Sequence, residues 1–124
     1  MLSLKSTLVV NSVSSAITGI GLVALAGETA QLFETHDPAP YTEAGLFLIG
    51  FAALVGYAAI RKELSRALVR LITALDILWV IGSILLILLA GSNMSVLGVA
   101  AIAAVALWVS AMAFLQGNGL RRTA

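Results

Sequence analysis

Apolar residues run almost unbroken through four stretches of the chain, roughly 5–26, 43–60, 67–90 and 95–116, with polar or proline-bearing breaks between them. Each stretch is close to the ~20 helical residues needed to cross a hydrocarbon core. The pattern predicts an all-α integral membrane four-helix bundle, a single four-span domain over 1–124 with nothing left for a soluble domain. The breaks at 61–66 and 91–94 are short, so the second and third segments, and the third and fourth, are expected to be antiparallel neighbours. The first segment is joined by the longer stretch "GETAQLFETHDPAPYT", where Pro38 and Pro40 are expected to stop regular structure and Leu32 and Phe33 to dip into the membrane interface. Thr42, Ser65 and Ser95 are the expected caps of the second, third and fourth helices, with Glu43 in the first turn of the second. No internal repeat is present.

Composition agrees with the pattern. The chain is 60% hydrophobic and only 10% charged, against about 25% charged in an ordinary soluble domain, and its mean hydropathy is +1.07. It has no cysteine, which removes disulfides, thiolate metal sites and thiol redox chemistry from consideration. Lys5, the following apolar run and Ala24-Leu25-Ala26 imitate a cleavable signal peptide. Asn11, Ser12, Ser14, Ser15 and Thr18 make that run polar for a signal core, so the first segment is expected to be a retained helix.

Charge then orients the chain. In a four-span topology Lys5, Arg61, Lys62, Arg66, Arg70, Arg121 and Arg122 all fall on one side, which is expected to be the cytoplasm of a bacterial-type inner membrane, with both termini on that side. Glu28, Glu34, Asp37 and Glu43 belong to the other face. So complete a bias argues against insertion in both directions as an antiparallel dimer. Small multidrug transporters are of similar size, but they carry an essential acid in the first helix, where this chain has none, and the motifs of fluoride channels are absent.

One acid lies inside a span. Asp76 is six residues beyond Arg70, which at 1.5 Å per residue is roughly 9 Å deeper. Asn11 is six residues beyond Lys5 on a helix of the same direction, while Tyr57 precedes Arg61 by four and Gln116 precedes Arg121 by five on the returning helices. All four helices thus offer a polar side chain to one layer. Asn11, Ser15 and Thr18 share a stripe of the first helix, flanked by Ser14; Thr73, Asp76, Trp79 and Ser83 share one of the third. A lipid-facing acid costs about 2.5–3.5 kcal/mol on insertion scales, and turning it toward Asn11 and Gln116 inside the bundle offsets most of that.

Two kinds of role suit this layer of Asp76, Asn11, Gln116, Tyr57, Ser15 and Thr73. It is either a proton or cation site, or the polar end of a pocket for a small amphiphile, lipid or quinone; or it is interhelical glue at about 1 kcal/mol per hydrogen bond, the simpler reading for a lone acid without a charged partner. It could equally bind another subunit. Trp79 and Trp108 fall within spans rather than at their ends, and with Ser83 they are candidates for a pocket wall or subunit contact. Small residues at Gly45, Ala52 and Gly56 in the second segment, and at Gly98, Ala101 and Ala104 in the fourth, permit close packing within the chain or between chains. The basic residues suit anionic headgroups, although setting topology is role enough. Glu34, His36 and Asp37 have metal-ligand chemistry, but an exposed polar loop is sufficient reason for them; no metal or cofactor is expected, and a single histidine excludes bis-histidine haem within one chain. No nucleophile–base or paired-carboxylate arrangement points to catalysis, and nothing points to nucleic acid.

The stretch Asp76-Ile77-Leu78-Trp79-Val80-Ile81-Gly82-Ser83, with Asn11 early in the first helix and Gln116 late in the fourth, resembles a loose group of small, uncharacterised bacterial four-helix inner-membrane proteins. The likeness covers nearly the whole chain. It implies the fold and the location, and no activity or catalytic residue. The expected function is therefore that of a non-enzymatic accessory or structural membrane protein, working in the bilayer as a homo-oligomer or as a subunit of a larger complex. A small transporter or channel built on Asp76, or a lipid- or quinone-binding protein, is the alternative.

Overall fold

The computed structural model describes residues 3–35, 37–63 and 65–122, with the side chain of Arg122 left out. Its helices are α1 Leu4–Ala24, α2 Ala26–Leu32, α3 Ala39–Ile60, α4 Arg66–Ala90 and α5 Val96–Arg122, with one 3₁₀ turn, Gly91–Asn93, between the last two. Four of these, α1, α3, α4 and α5, are long and apolar enough to span a membrane. A helix meets its own backbone hydrogen-bonding needs, which is what a lipid environment demands. The protein is an all-α four-helix membrane bundle.

Two of the three expected caps are in place. Ser65 Oγ accepts from the Leu68 N–H at 3.2 Å and Ser95 Oγ from the Gly98 N–H at 3.0 Å. The third is not. Helix α3 begins at Ala39, and Thr42 lies inside it, donating its hydroxyl back to Pro38 O at 3.4 Å. Pro40, expected to break structure, sits in the first helical turn, where its missing N–H was never needed. Asp37 Oδ1 accepts the Ala39 N–H at 3.0 Å instead.

The linking stretch is also more regular than expected, because α2 follows α1 after a break at Leu25 and buries Ala26 and Ala30. It closes on a Schellman turn, with Glu34 N–H to Gln31 O and Thr35 N–H to Ala30 O, and Glu34 takes the left-handed φ of 59° the motif requires. Phe33 turns inward rather than out to the interface. Its ring meets Tyr41 edge-on at 5.6 Å and covers Gly98 at the start of α5, and its carbonyl accepts the Ser95 N–H at 2.9 Å. Leu32 stays exposed.

The short connection makes α3 and α4 sequential, yet they meet only sparingly; α1 packs chiefly on α3, and α4 chiefly on α5. The reason is the small-residue stripe, which serves packing inside this chain. A Cβ added to Gly19 would lie 2.7 Å from Gly45 O, and one added to Gly45 would lie 2.7 Å from Gly19 O. The two backbones touch where neither residue carries a side chain. Two turns away Ser12 Oγ donates to Ala52 O at 2.8 Å, and Gly56 faces the same hydroxyl.

Packing is uneven along the bundle. Leu4, Leu8, Phe51, Val55, Ala58, Ala59, Val69, Ile72 and Leu120 form one buried cluster, all but Phe51 drawn from the end that carries the basic residues. Helix α5 runs beyond the expected limit at 116 to join it. Gly119 lies against Leu4, and Leu120 O accepts from Arg66 Nη1 at 2.9 Å. Large apolar side chains face outward at both ends: Leu89 is 81% and Val96 87% exposed at one, Ile60 80% at the other.

The substitution Gly45→Ala is expected to destabilise the bundle by about 1–3 kcal/mol through forced overpacking, measured by reversible unfolding in bicelles. Gly21→Ala, whose methyl would meet nothing within 4 Å, is expected to be neutral or to add up to about 1 kcal/mol of helix propensity.

Candidate functional site

The intramembrane site is assembled by three helices just beyond the apolar cluster. Asn11 of α1, Asp76 of α4 and Gln116 of α5 are all essentially buried. Asn11 Nδ2 donates to Gln116 Oε1 at 2.8 Å and to Asp76 Oδ2 at 3.2 Å. Gln116 Nε2 donates to Asp76 Oδ2 at 2.9 Å and to Thr73 Oγ1 at 3.1 Å. Ser15 Oγ completes the set by donating to Asn11 Oδ1 at 3.3 Å. A primary amide has two N–H donors, so both amides are fully engaged as donors. Burial without such partners costs about 1–3 kcal/mol per polar group.

Five of the six residues expected in the layer therefore meet: Asp76, Asn11, Gln116, Ser15 and Thr73. Tyr57 does not. It is 53% exposed, accepts from Arg61 Nη1 at 3.1 Å, and carries that guanidinium over its ring at 5.5 Å. Counting inward from Arg61 sets the depth of Tyr57 but not its rotation. The buried face of α3 runs through Gly45, Leu48, Ala52, Val55 and Ala59, and a position two residues past Val55 lies about 200° around the helix.

The other expected contacts separate. Trp108 lies half-exposed on the seam of α1 and α5, its Nε1–H donating to Ser14 Oγ at 3.1 Å. The Ser83 hydroxyl donates to Trp79 O at 2.8 Å, within its own helix. Trp79 stays at the site. Its ring stacks on Phe47 at 5.9 Å and 12°, and its Nε1 is fully enclosed with no hydrogen-bond partner among the described residues.

Trp79 and Asp76 line a cleft of about 10 Å³ together with Phe47 and Phe51 of α3, Ser15 of α1 and Val109 of α5. The carboxylate is used unevenly there. Both amide donors reach Oδ2, and no hydrogen bond among the described residues reaches Oδ1. Trp79 Nε1 is the one wholly enclosed side-chain nitrogen or oxygen without a partner among those residues, so Oδ1 is not wholly enclosed. Toward the basic end the layer is sealed, because Leu8, Val55, Val69 and Ile72 have no exposed surface.

Phe47 and Phe51, unlike Trp79, do not stand out in the sequence, although a signal for Phe51 exists. Phe51 is ten residues before Arg61 and Trp79 nine beyond Arg70, which places them at nearly equal depth by the counting that located Asp76. Among the described residues no three His, Cys, Asp or Glu side chains gather; His36 lies outside those residues. At the basic end Lys5, Arg61, Lys62, Arg70 and Arg121 are exposed, whereas Arg66 is drawn onto Leu120 O. The side chain of Arg122 lies outside the described residues.

Fold and site together define a membrane four-helix bundle with a buried amide–carboxylate layer. No protein family, curated protein or solved structure matches the chain.

Replacing Gln116 by Leu is expected to cost about 1–3 kcal/mol, since it removes three hydrogen bonds and leaves Asp76 one amide donor. Tyr57→Phe is expected to change stability by less than about 0.5 kcal/mol. The double variant Asn11→Ala/Gln116→Leu should lose less than the sum of its parts by about 0.5–1 kcal/mol, because one bond is counted twice. Unfolding of the parent, the three single variants Asn11→Ala, Gln116→Leu and Tyr57→Phe, and the double variant in bicelles reads these differences.

Proposed function

We propose that this is a small non-enzymatic membrane protein that works by lateral association, as a homo-oligomer or as a subunit of a larger membrane complex. It sits in a bacterial-type inner membrane with the basic end, and both ends of the chain, in the cytoplasm. The observation that carries this reading is the apolar outer surface of the bundle. Large apolar side chains face outward along its length, Ile17, Ile60, Leu107 and Phe114 as well as Leu89 and Val96, on a chain with almost no mass outside the spans. That surface suits lipid or a neighbouring helix and nothing polar.

Transport is disfavoured by the same geometry. A conduit needs access to Asp76 from both sides, and the apolar cluster of Leu8, Val55, Val69 and Ile72 separates it from the basic end. The polar groups bind one another in a manner suited to locking helices together. The orientation is supported by the gathering of the described basic side chains at one end.

Native mass spectrometry of the protein released from nanodiscs made with its own lipids is expected to give multiples of the chain mass or a defined mixed complex. Release as a bare monomer under conditions that preserve known membrane oligomers would refute association. Proteoliposomes are expected to show no proton or cation flux above empty vesicles; flux that Asp76→Asn abolishes would put the transporter reading in its place.

A further inference from the structure

The cleft beside the polar layer has chemistry that the bundle leaves unused. Two of its lining residues hold unused groups: the enclosed indole N–H of Trp79, Nε1, without a partner among the described residues, and a carboxylate oxygen, Asp76 Oδ1, that none of the amides reaches. One donor and one acceptor, on residues three apart on α4 that line the same cleft, are complementary to a group that accepts and donates at once. A hydroxyl does both. An ammonium would satisfy the carboxylate and face the indole N–H donor to donor, while a ketone or ether oxygen would accept from Trp79 and leave Oδ1 facing a lone pair.

The walls select for the rest of the guest. Phe47 lies between two rings, stacked on Trp79 at 5.9 Å and on Phe51 at 6.0 Å, so the cleft is built from flat aromatic faces. A space of about 10 Å³ holds one water-sized group, and a ring enters only where a wall moves. Phe47 is that wall: it is 45% exposed on the seam of α3 and α4, the helices that meet most sparingly among those joined by a short connection. An outward swing of Phe47 into lipid would open the cleft sideways and free the face of Trp79 that it now covers.

We propose that the cleft between α3 and α4 binds a hydroxylated aromatic amphiphile that enters laterally from the bilayer. Its hydroxyl accepts from Trp79 Nε1 and donates to Asp76 Oδ1, its ring replaces Phe47 against Trp79, and its apolar tail stays in lipid. The site is closed toward the basic end, so the guest leaves by the route it entered.

The test uses the full chain in nanodiscs, with tritiated para-octylphenol as the probe and protein-free nanodiscs for subtraction of lipid partitioning. Saturable binding of one probe per chain is expected, with para-octylanisole, whose hydroxyl is methylated, about tenfold weaker or more. Trp79→Phe keeps a ring and removes the N–H, and is expected to weaken para-octylphenol about tenfold while helicity and melting stay unchanged. Phe47→Ala, which opens the wall, is expected to tighten binding. In a Trp108→Phe background, where Trp79 is the only tryptophan, the probe is expected to quench emission saturably. No binding above empty nanodiscs, equal binding of the phenol and its ether, or a Trp79→Phe protein that binds like the parent each overturns the proposal. The last two mean that the cleft holds only water or lipid chain.

Discussion

The amide of Gln116 is the junction on which the bundle depends. It donates to two side chains of α4, Asp76 and Thr73, and accepts from Asn11 of α1, so one buried side chain holds three helices in register. In lipid there is no hydrophobic drive to bring apolar helices together, and association rests on packing and on such bonds. The rest of the polar layer follows. Asp76 is tolerable at its depth because two amides face it, and Asn11 is oriented by Ser15 behind it.

From that junction the bundle is read in series along its axis. Toward the basic end lies the apolar cluster that closes the interior, helped by the extension of α5 and the Arg66 hydrogen bond to Leu120. Next comes the polar layer, then the aromatic cleft, then the end where Phe33 packs against Gly98 and Ser95 donates to the Phe33 carbonyl. A second, independent contact, the Gly19–Gly45 crossing, joins α1 to α3 by direct approach of backbones. The layer ties α1, α4 and α5 while the glycines tie α1 and α3, so α1 is the common member of both. The seam of α3 and α4 is left with neither device, which is why the cleft opens there.

Much of this was legible along the chain. Four spans, two caps, the common end of the basic residues and the shared depth of Asn11, Asp76 and Gln116 follow from runs of apolar residues and from counting along helices. The misjudged places share one cause. Pro38 and Pro40 read as breakers, although proline is at home in a first helical turn, and the Schellman turn at Glu34 hides in residues without a glycine to mark it. Local composition describes a residue's preference; the neighbouring chain chooses which preference is used.

Depth was the property that the sequence determined by itself, because helical rise is set by covalent geometry and hydrogen bonding and is the same in every apolar helix. Rotation and pairing belonged to the tertiary structure. Tyr57 has the right depth and the wrong face, Trp108 binds Ser14 on an outer seam, and Trp79 keeps its place in the cleft. In spans that are apolar on every side, no hydrophobic stripe records which face turns inward. That choice falls to a few close contacts, Gly19 on Gly45 and Gln116 on Asp76, which exist only once the helices have met.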